Sequence, residues 1–61
     1  MTRTFIHGDY TVEYHMDGNE PYIEAVLENG ADVWQRLSGR ELREIEDAAF
    51  EDWQADREAM A

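Results

Sequence analysis

Apolar and polar residues alternate along two stretches in the first half of the chain. The first runs from Tyr10 to Met16 and the second from Tyr22 to Glu28. A period of two is typical of a strand whose two faces meet different surroundings. A shorter stretch, Arg3 to His7, precedes them. The pattern therefore predicts three strands, at about residues 3–7, 10–16 and 21–28.

Turn residues separate the predicted strands, at Gly8-Asp9, Asp17-Gly18-Asn19 and Asn29-Gly30. Glycine and asparagine suit tight turns because they tolerate positive φ. Pro21 is acceptable as the first residue of a strand. Because short connections make consecutive strands neighbours, we expect a three-stranded antiparallel meander with residues 10–16 in its centre.

The second half of the chain has the spacing of an amphipathic helix. After a connector over residues 29–37, Ser38 is a good N-cap and Glu41 follows at the capping-box spacing. In a capping box each side chain bonds the other residue's free backbone N–H. One apolar stripe then follows a helical period: Leu42, Ile45, Ala49 and Trp53. The pattern predicts a helix over about residues 39–57 and a frayed end at 58–61.

These elements predict a single α+β domain, residues 1–61, with the order β-β-β-α and the helix packed across one sheet face. Both faces of the predicted strands carry apolar residues, so the inward face is open at this point. The expected core comprises Phe5 or Ile6, Val12, Tyr14, Ile23, Ala25, Leu27, Val33, Leu37, Leu42, Ile45, Ala49 and Trp53.

Charge narrows the choice of partner. Fifteen acids oppose five arginines, which gives a formal net charge of −10, and residues 38–61 hold eight of the acids. Such a chain repels nucleic-acid phosphates and anionic membranes. We therefore predict no direct nucleic-acid partner and no membrane, and expect another protein, including one with a basic surface. The acidity is equally explained by solubility.

Compartment is indicated by what the sequence lacks. It contains no cysteine and no apolar run near the roughly 20 residues of a membrane span. No signal-peptide pattern stands at the N-terminus. We predict a soluble, cytoplasmic protein.

Catalytic and metal-binding patterns are weak. Ser38 is the only serine, and the helix cap explains it; His7 and His15 could face each other across a hairpin, but no insertion would form a cleft. The run 17–20 resembles part of a calcium loop without its alternating ligands and final glutamate. We predict a non-enzymatic protein with no cofactor and no metal.

One candidate interaction surface is the helix face opposite the apolar stripe. This face carries a row of carboxylates. A row of this kind can imitate the phosphate charges of duplex DNA, which lie about 1.7 Å apart along its axis. Arg40 and Arg43, however, stand four residues before two of these acids and offer ion pairs, so an ordinary exposed helix is the alternative. The candidate residues are Glu44, Asp47, Glu51 and Glu58.

Three aromatic residues form a second candidate set. Tyr10, Tyr22 and Trp34 exceed what so small a core can fully bury. Tyrosine and tryptophan are frequent at interface hot spots. An exposed aromatic face or an open edge strand would support partner binding or a homodimer. The alternative is that these three rings are partly buried and only their polar atoms contact water.

Residues 10–53 carry a resemblance. An alternating strand leads into Ile23–Val33 with its Asn-Gly turn and Asp-Val step, and Leu37-Ser38 then opens the acidic helix Glu41–Glu46. This order resembles small uncharacterised proteins encoded by tailed phages and prophages. The resemblance implies a phage or prophage origin, hence a host-cell cytoplasm, and it implies no defined activity and no functional residue.

The sequence thus leads to one hypothesis and two alternatives. The first is a small acidic interaction module that binds another protein through its helix acids and exposed aromatics. The second is a nucleic-acid mimic that inhibits a DNA- or RNA-binding protein of the host. The third is a homo-oligomeric structural or assembly accessory.

Overall fold

Four antiparallel strands and one long helix account for most of residues 2–60, the part of the chain that the computed structural model describes. The strands lie side by side in chain order. A single 3-10 turn, Trp34–Arg36, connects the sheet to the helix. The elements are β1 (Arg3–His7), β2 (Tyr10–Asp17), β3 (Glu20–Glu28), β4 (Ala31–Asp32) and α1 (Gly39–Met60).

The predicted α+β class with a C-terminal helix is confirmed, but the expectation of three strands is wrong. A fourth strand, β4, lies in the segment expected to be a connector and pairs with the end of β3. Asn29 and Gly30 cause this, with φ of 54° and 82°. Positive φ at both central residues is typical of the tight turn that folds a chain back as a hairpin. The turn therefore extends the sheet instead of closing it.

A β-bulge in β3 decides which of its residues reach the core. Glu13 pairs with Ala25 while Tyr14 pairs with Ile23, so Glu24 is an extra residue on β3. A bulge places two successive residues opposite one and shifts the alternation of faces. Val26 is consequently fully buried on the same face as Ile23.

The expected core is corrected at several places by this register. Ala25 and Leu27 do not belong to the buried core, and Val26, expected on the other face, does. Ile6 is 70% exposed, so Phe5 is the residue of β1 that packs against the core. The buried residues are Val12, Tyr14, Ile23, Val26, Val33, Ile45 and Ala49.

Helix α1 covers one face of the sheet and contacts both β1 and β3. Ile45 and Ala49, one turn apart, are its buried residues. The helix continues to Met60, three residues beyond its expected end, so residues 58–60 are helical instead of frayed. Ala61 lies outside the described residues. The helix thus supplies most of the cover of the core on that side, and Val33, Trp34 and Leu37 from the preceding segment also pack there.

The helix cap differs from the predicted capping box in one bond. The Ser38 hydroxyl oxygen accepts the backbone N–H of Glu41 at 3.2 Å, as expected. The carboxylate of Glu41, however, accepts the Ser38 hydroxyl proton at 3.2 Å and not the backbone N–H of Ser38. The cap therefore satisfies one free N–H of the first turn and orients the glutamate near the positive helix end.

Substitution of two isoleucines, one at each face of the sheet, tests the assignment of the faces. Ile45→Ala is expected to lower the free energy of unfolding by about 2–5 kcal/mol, because it leaves a cavity in the core. Ile6→Ala, on the open face, is the matched control and should change it by about 0.5 kcal/mol or less. Urea unfolding followed by circular dichroism measures both. Equal losses would contradict the described packing.

Candidate functional site

The sheet face away from α1 is not covered by any element of residues 2–60. We call it the outer face. The strand register defines which residues lie on this face: Ile6 pairs with Thr11, Glu13 with Ala25, and His15 with Tyr22. Ile6 and Tyr22 are 70% and 63% exposed and are the large apolar side chains most open to solvent. The outer face comprises Thr4, Ile6, Thr11, Glu13, His15, Tyr22, Glu24, Ala25 and Leu27.

The opposite, helix-covered face contains a polar network centred on Tyr14. This side chain is fully buried, and its hydroxyl donates to Asp52 Oδ2 at 2.6 Å. The same hydroxyl oxygen accepts from Arg3 Nε at 3.1 Å. Arg3 Nη2 also pairs with Asp56 Oδ2 at 2.9 Å. The network joins β1 and β2 to the C-terminal half of α1, so its role is structural.

Protonation follows from the surroundings of this network. Burial raises the pKa of the Tyr14 hydroxyl, and the hydrogen bond to Asp52 raises it further, while the bond from Arg3 opposes both. The hydrogen bonds from Arg3 to Tyr14 and Asp56 raise the pKa of that guanidinium. Because each proton is held in a hydrogen bond, Tyr14 stays neutral and Arg3 stays charged.

A second polar group lies on the outer face around Glu24. Glu24 Oε2 accepts the Thr2 hydroxyl at 2.9 Å and lies 3.2 Å from His15 Nδ1. These two hydrogen bonds, that from Thr2 first, lower the pKa of the Glu24 carboxyl. The His15 ring stacks on Tyr22, with centroids 5.1 Å apart and planes inclined by 26°. The four side chains form one ordered patch that crosses the outer face from Thr2, beside β1, to β3.

This patch borders an open hollow of about 790 Å³ between β3 and the 3-10 turn. On the β3 side its walls include Tyr22 and Glu24, and on the other side Asp32, Trp34 and Arg36. Asp32 is held in place because its Oδ1 accepts the backbone N–H of Trp34 at 2.9 Å. We call this space the β3 hollow. It combines aromatic rings with carboxylates at the edge of the outer face.

The three candidate aromatics are placed differently from one another. Tyr10 and Trp34 are partly buried and pack against the core. Trp34 also borders the β3 hollow, and Tyr22 stands exposed beside it. The structure therefore brings Tyr22 and Trp34 to one site, whereas Tyr10 belongs to the packing of the helix-covered face.

The candidate acids lie together on the exposed side of α1. All four are exposed: Glu44, Asp47, Glu51 and Glu58. Within residues 2–60 no ion pair joins Arg40 to Glu44 or Arg43 to Asp47, although the spacing allowed both. Arg57 instead lies over the Trp53 ring, 4.6 Å from its centroid. The arginines of α1 thus leave this acidic stripe unneutralised.

The two histidines do not face each other. His7 lies on the helix-covered face, where its ring meets Phe5 edge-on with centroids 6.4 Å apart. His15 lies on the outer face, because it alternates with the buried Tyr14. The facing pair that the sequence allowed is therefore not formed. The described residues also contain no group of three or more His, Asp or Glu side chains placed to hold a metal ion.

No helix in the described part of the chain combines the length and the apolar character that a membrane span requires. Comparison with protein-family models, with curated proteins and with solved structures finds no match.

Sequence reasoning missed the two polar groups for different reasons. The network of Tyr14 had a signal: Asp52 and Asp56 border the apolar stripe at a spacing of four, and Arg3 shares a strand face with Phe5. For the patch around Glu24, the alternation of residues contains no signal in the sequence. His15 pairs with Tyr22, and it meets Glu24, two positions further along β3, only in the folded sheet.

Tyr14→Phe tests the network. Loss of the hydroxyl removes two hydrogen bonds and is expected to lower the free energy of unfolding by about 1 kcal/mol at neutral pH. Tyr22→Phe is the matched control, since within residues 2–60 the Tyr22 hydroxyl makes no hydrogen bond. Urea unfolding is the measurement. A loss as large in Tyr22→Phe would contradict the role of the network.

Alkaline pH provides a second test of Tyr14. The folded protein holds its proton more tightly than the unfolded chain, in which tyrosine titrates near its ordinary pKa of 10.0. The stability that this proton contributes is therefore complete below about pH 10 and is lost as the pH rises towards the raised pKa. Unfolding measured from pH 8 to 11 should show a smaller decline in Tyr14→Phe than in the wild type. If stability falls equally in the wild type and in Tyr14→Phe, the Tyr14 proton does not contribute to it.

Proposed function

We propose that this chain is a small, acidic, non-enzymatic protein-interaction module that binds another protein through its outer face. The observation that carries the proposal is the exposure of Ile6 and Tyr22 on a sheet face that no element of residues 2–60 covers. Ile6 on β1 and Tyr22 on β3 stand apart on this face, and a partner that covers the face would contact both. The aromatic member, Tyr22, is of a type favoured at binding hot spots.

Charge supports a protein as the partner. A net charge of −10 repels nucleic acids and anionic lipids and attracts basic protein surfaces. The outer face is mixed, since Glu13 and His15 stand among its apolar residues. Such a mixture suits a non-obligate interface, which is about as polar as the rest of a protein surface. The phage or prophage origin and the host-cell cytoplasm implied by the resemblance stay predictions.

Site-specific photo-cross-linking tests the proposal. A benzoyl-phenylalanine placed at Ile6 is expected to cross-link a defined partner in the cells that produce the protein, because that side chain lies within the proposed interface. The same group at Gln54, exposed on α1, is the matched control. Mass spectrometry identifies the adducts, and binding to the purified partner then follows. Adducts from position 54 alone would contradict the proposal.

A second candidate function is supported by the acidic stripe of α1. Its four carboxylates are exposed and unpaired by arginine among the described residues. At 1.5 Å per residue, Glu44 and Asp47 are about 4.5 Å apart along the helix axis, and Asp47 and Glu51 about 6 Å. This repeat favours a nucleic-acid mimic that occupies the basic groove of a DNA- or RNA-binding protein.

Displacement of host proteins from immobilised duplex DNA tests the mimic. The wild type should release a bound protein, and less so as salt rises, because the contact is electrostatic. Replacing the four stripe acids by their amides should abolish the release. A control variant loses the same charge elsewhere, at Asp9, Asp17, Glu20 and Glu28. If the stripe variant still releases the bound protein, or if the control variant fails to release it to the same extent, the mimic is ruled out.

A further inference from the structure

The geometry points to the β3 hollow as a binding site for an arginine side chain carried by an extended segment of a partner protein. This inference rests on the proposed function, because it names the group that the outer-face partner inserts. Three ring systems and two carboxylates border the hollow: His15, Tyr22, Trp34, Glu24 and Asp32. A planar guanidinium uses both kinds of group, since it stacks on aromatic faces and donates hydrogen bonds to carboxylates.

Tyr22 is held ready for stacking. Its ring lies against His15 and remains 63% exposed, so its position is set by the neighbour while much of its surface stays free. Trp34 is fixed from the other side by packing against the core. Rings ordered before binding lose little freedom when a ligand arrives.

The carboxylates are also ordered before binding. Glu24 is held by Thr2 and His15 through Oε2, and Asp32 by the Trp34 backbone through Oδ1. The second oxygen of each has no hydrogen-bond partner among residues 2–60. Each side chain is therefore fixed by one oxygen and offers the other. The hydrogen bonds that hold Glu24 also lower the pKa of its carboxyl.

Charge selects a cationic occupant that is not another copy of this chain. Arg36 is the one guanidinium bordering the hollow, against the two carboxylates Glu24 and Asp32. The whole chain carries −10, so a cation is attracted at long range as well. A second copy would bring the same excess of negative charge and be repelled. A basic segment of a different protein meets no such penalty.

The open edge of β3 indicates a peptide and not free arginine. Strand β4 pairs only with Leu27 and Glu28, so the earlier part of β3 has no strand on that side. The pair Asp17–Glu20 flanks a two-residue turn, and by the alternation of an antiparallel ladder the backbone groups of Ile23 point away from β2. An extended segment that lies along this unpaired edge of β3 reaches the hollow.

Titration with short peptides followed by NMR tests the inference. The probe is a blocked pentapeptide with one central arginine between valines and threonines, compared with its citrulline and lysine analogues. The arginine peptide should shift the signals of Tyr22 and the Trp34 indole saturably, and citrulline, which lacks the charge, should bind at least about tenfold more weakly. Equal binding of citrulline or lysine would overturn the assignment to a guanidinium.

Two variants that lose the same charge locate the site. Glu24→Gln should weaken the arginine peptide about tenfold, because it removes a charged acceptor in the hollow. Glu51→Gln, on the exposed side of α1, should change the affinity less than twofold. Tyr22→Ala should weaken binding about threefold through loss of stacking. Equal weakening by both glutamate variants would show attraction to total charge and overturn the site.

The outcome is separable from that of the proposed function. If cross-linking from position 6 still captures the partner but no arginine peptide binds, the outer-face interface stands and the hollow assignment falls. If the peptide binds and cross-linking from position 6 fails, the hollow stands apart from that interface. Concentration-dependent shifts without peptide would show a second copy in the hollow and overturn the choice of occupant.

Discussion

The register shift at Glu24 is the constraint on which both faces of this sheet depend. With strict alternation from Ile23, Val26 would face solvent and the helix would meet Ala25. The extra residue instead turns Glu24 and Ala25 to the outer face and returns Val26 to the core. A single change of register therefore completes the packing surface for α1 and places a carboxylate beside His15. The same bulge thus completes the hydrophobic core on one face and forms a polar contact on the other.

Local patterns in the sequence were sufficient for most of the elements. Alternation located the first three strands within a residue or so at each end, and the cap and stripe located the start of α1. The fourth strand could have been foreseen, because Asn29-Gly30 is as much a hairpin turn as a terminator. The bulge could not, since a period of two carries no mark of the position at which one residue is skipped. The errors in the core, at Ala25, Val26 and Leu27, all follow from that one omission.

The candidate site was less accessible to prediction because its contacts are non-local. Composition indicates that Tyr22 and Trp34 exceed what a small core can bury, yet their meeting at one hollow depends on how the 3-10 turn returns along β3. By alternation Glu24 is one outward glutamate among several, and only the fold brings His15 and Thr2 to its carboxylate. The acids of α1 followed directly from helical periodicity. Their freedom from Arg40 and Arg43 did not, because spacing permits an ion pair without requiring one.

The Tyr14 hydroxyl has a consequence for the order in which the protein acquires its structure. Its acceptor, Asp52, lies 38 residues further along the chain. During synthesis from the N-terminus the strands emerge first, and their hairpins need only short-range contacts. Tyr14 must nevertheless keep its hydroxyl in water until the second half of α1 is available, because burying it without a partner is costly. The sheet alone therefore leaves its inner face exposed. When the helix docks, the core is buried and the polar network forms in one step.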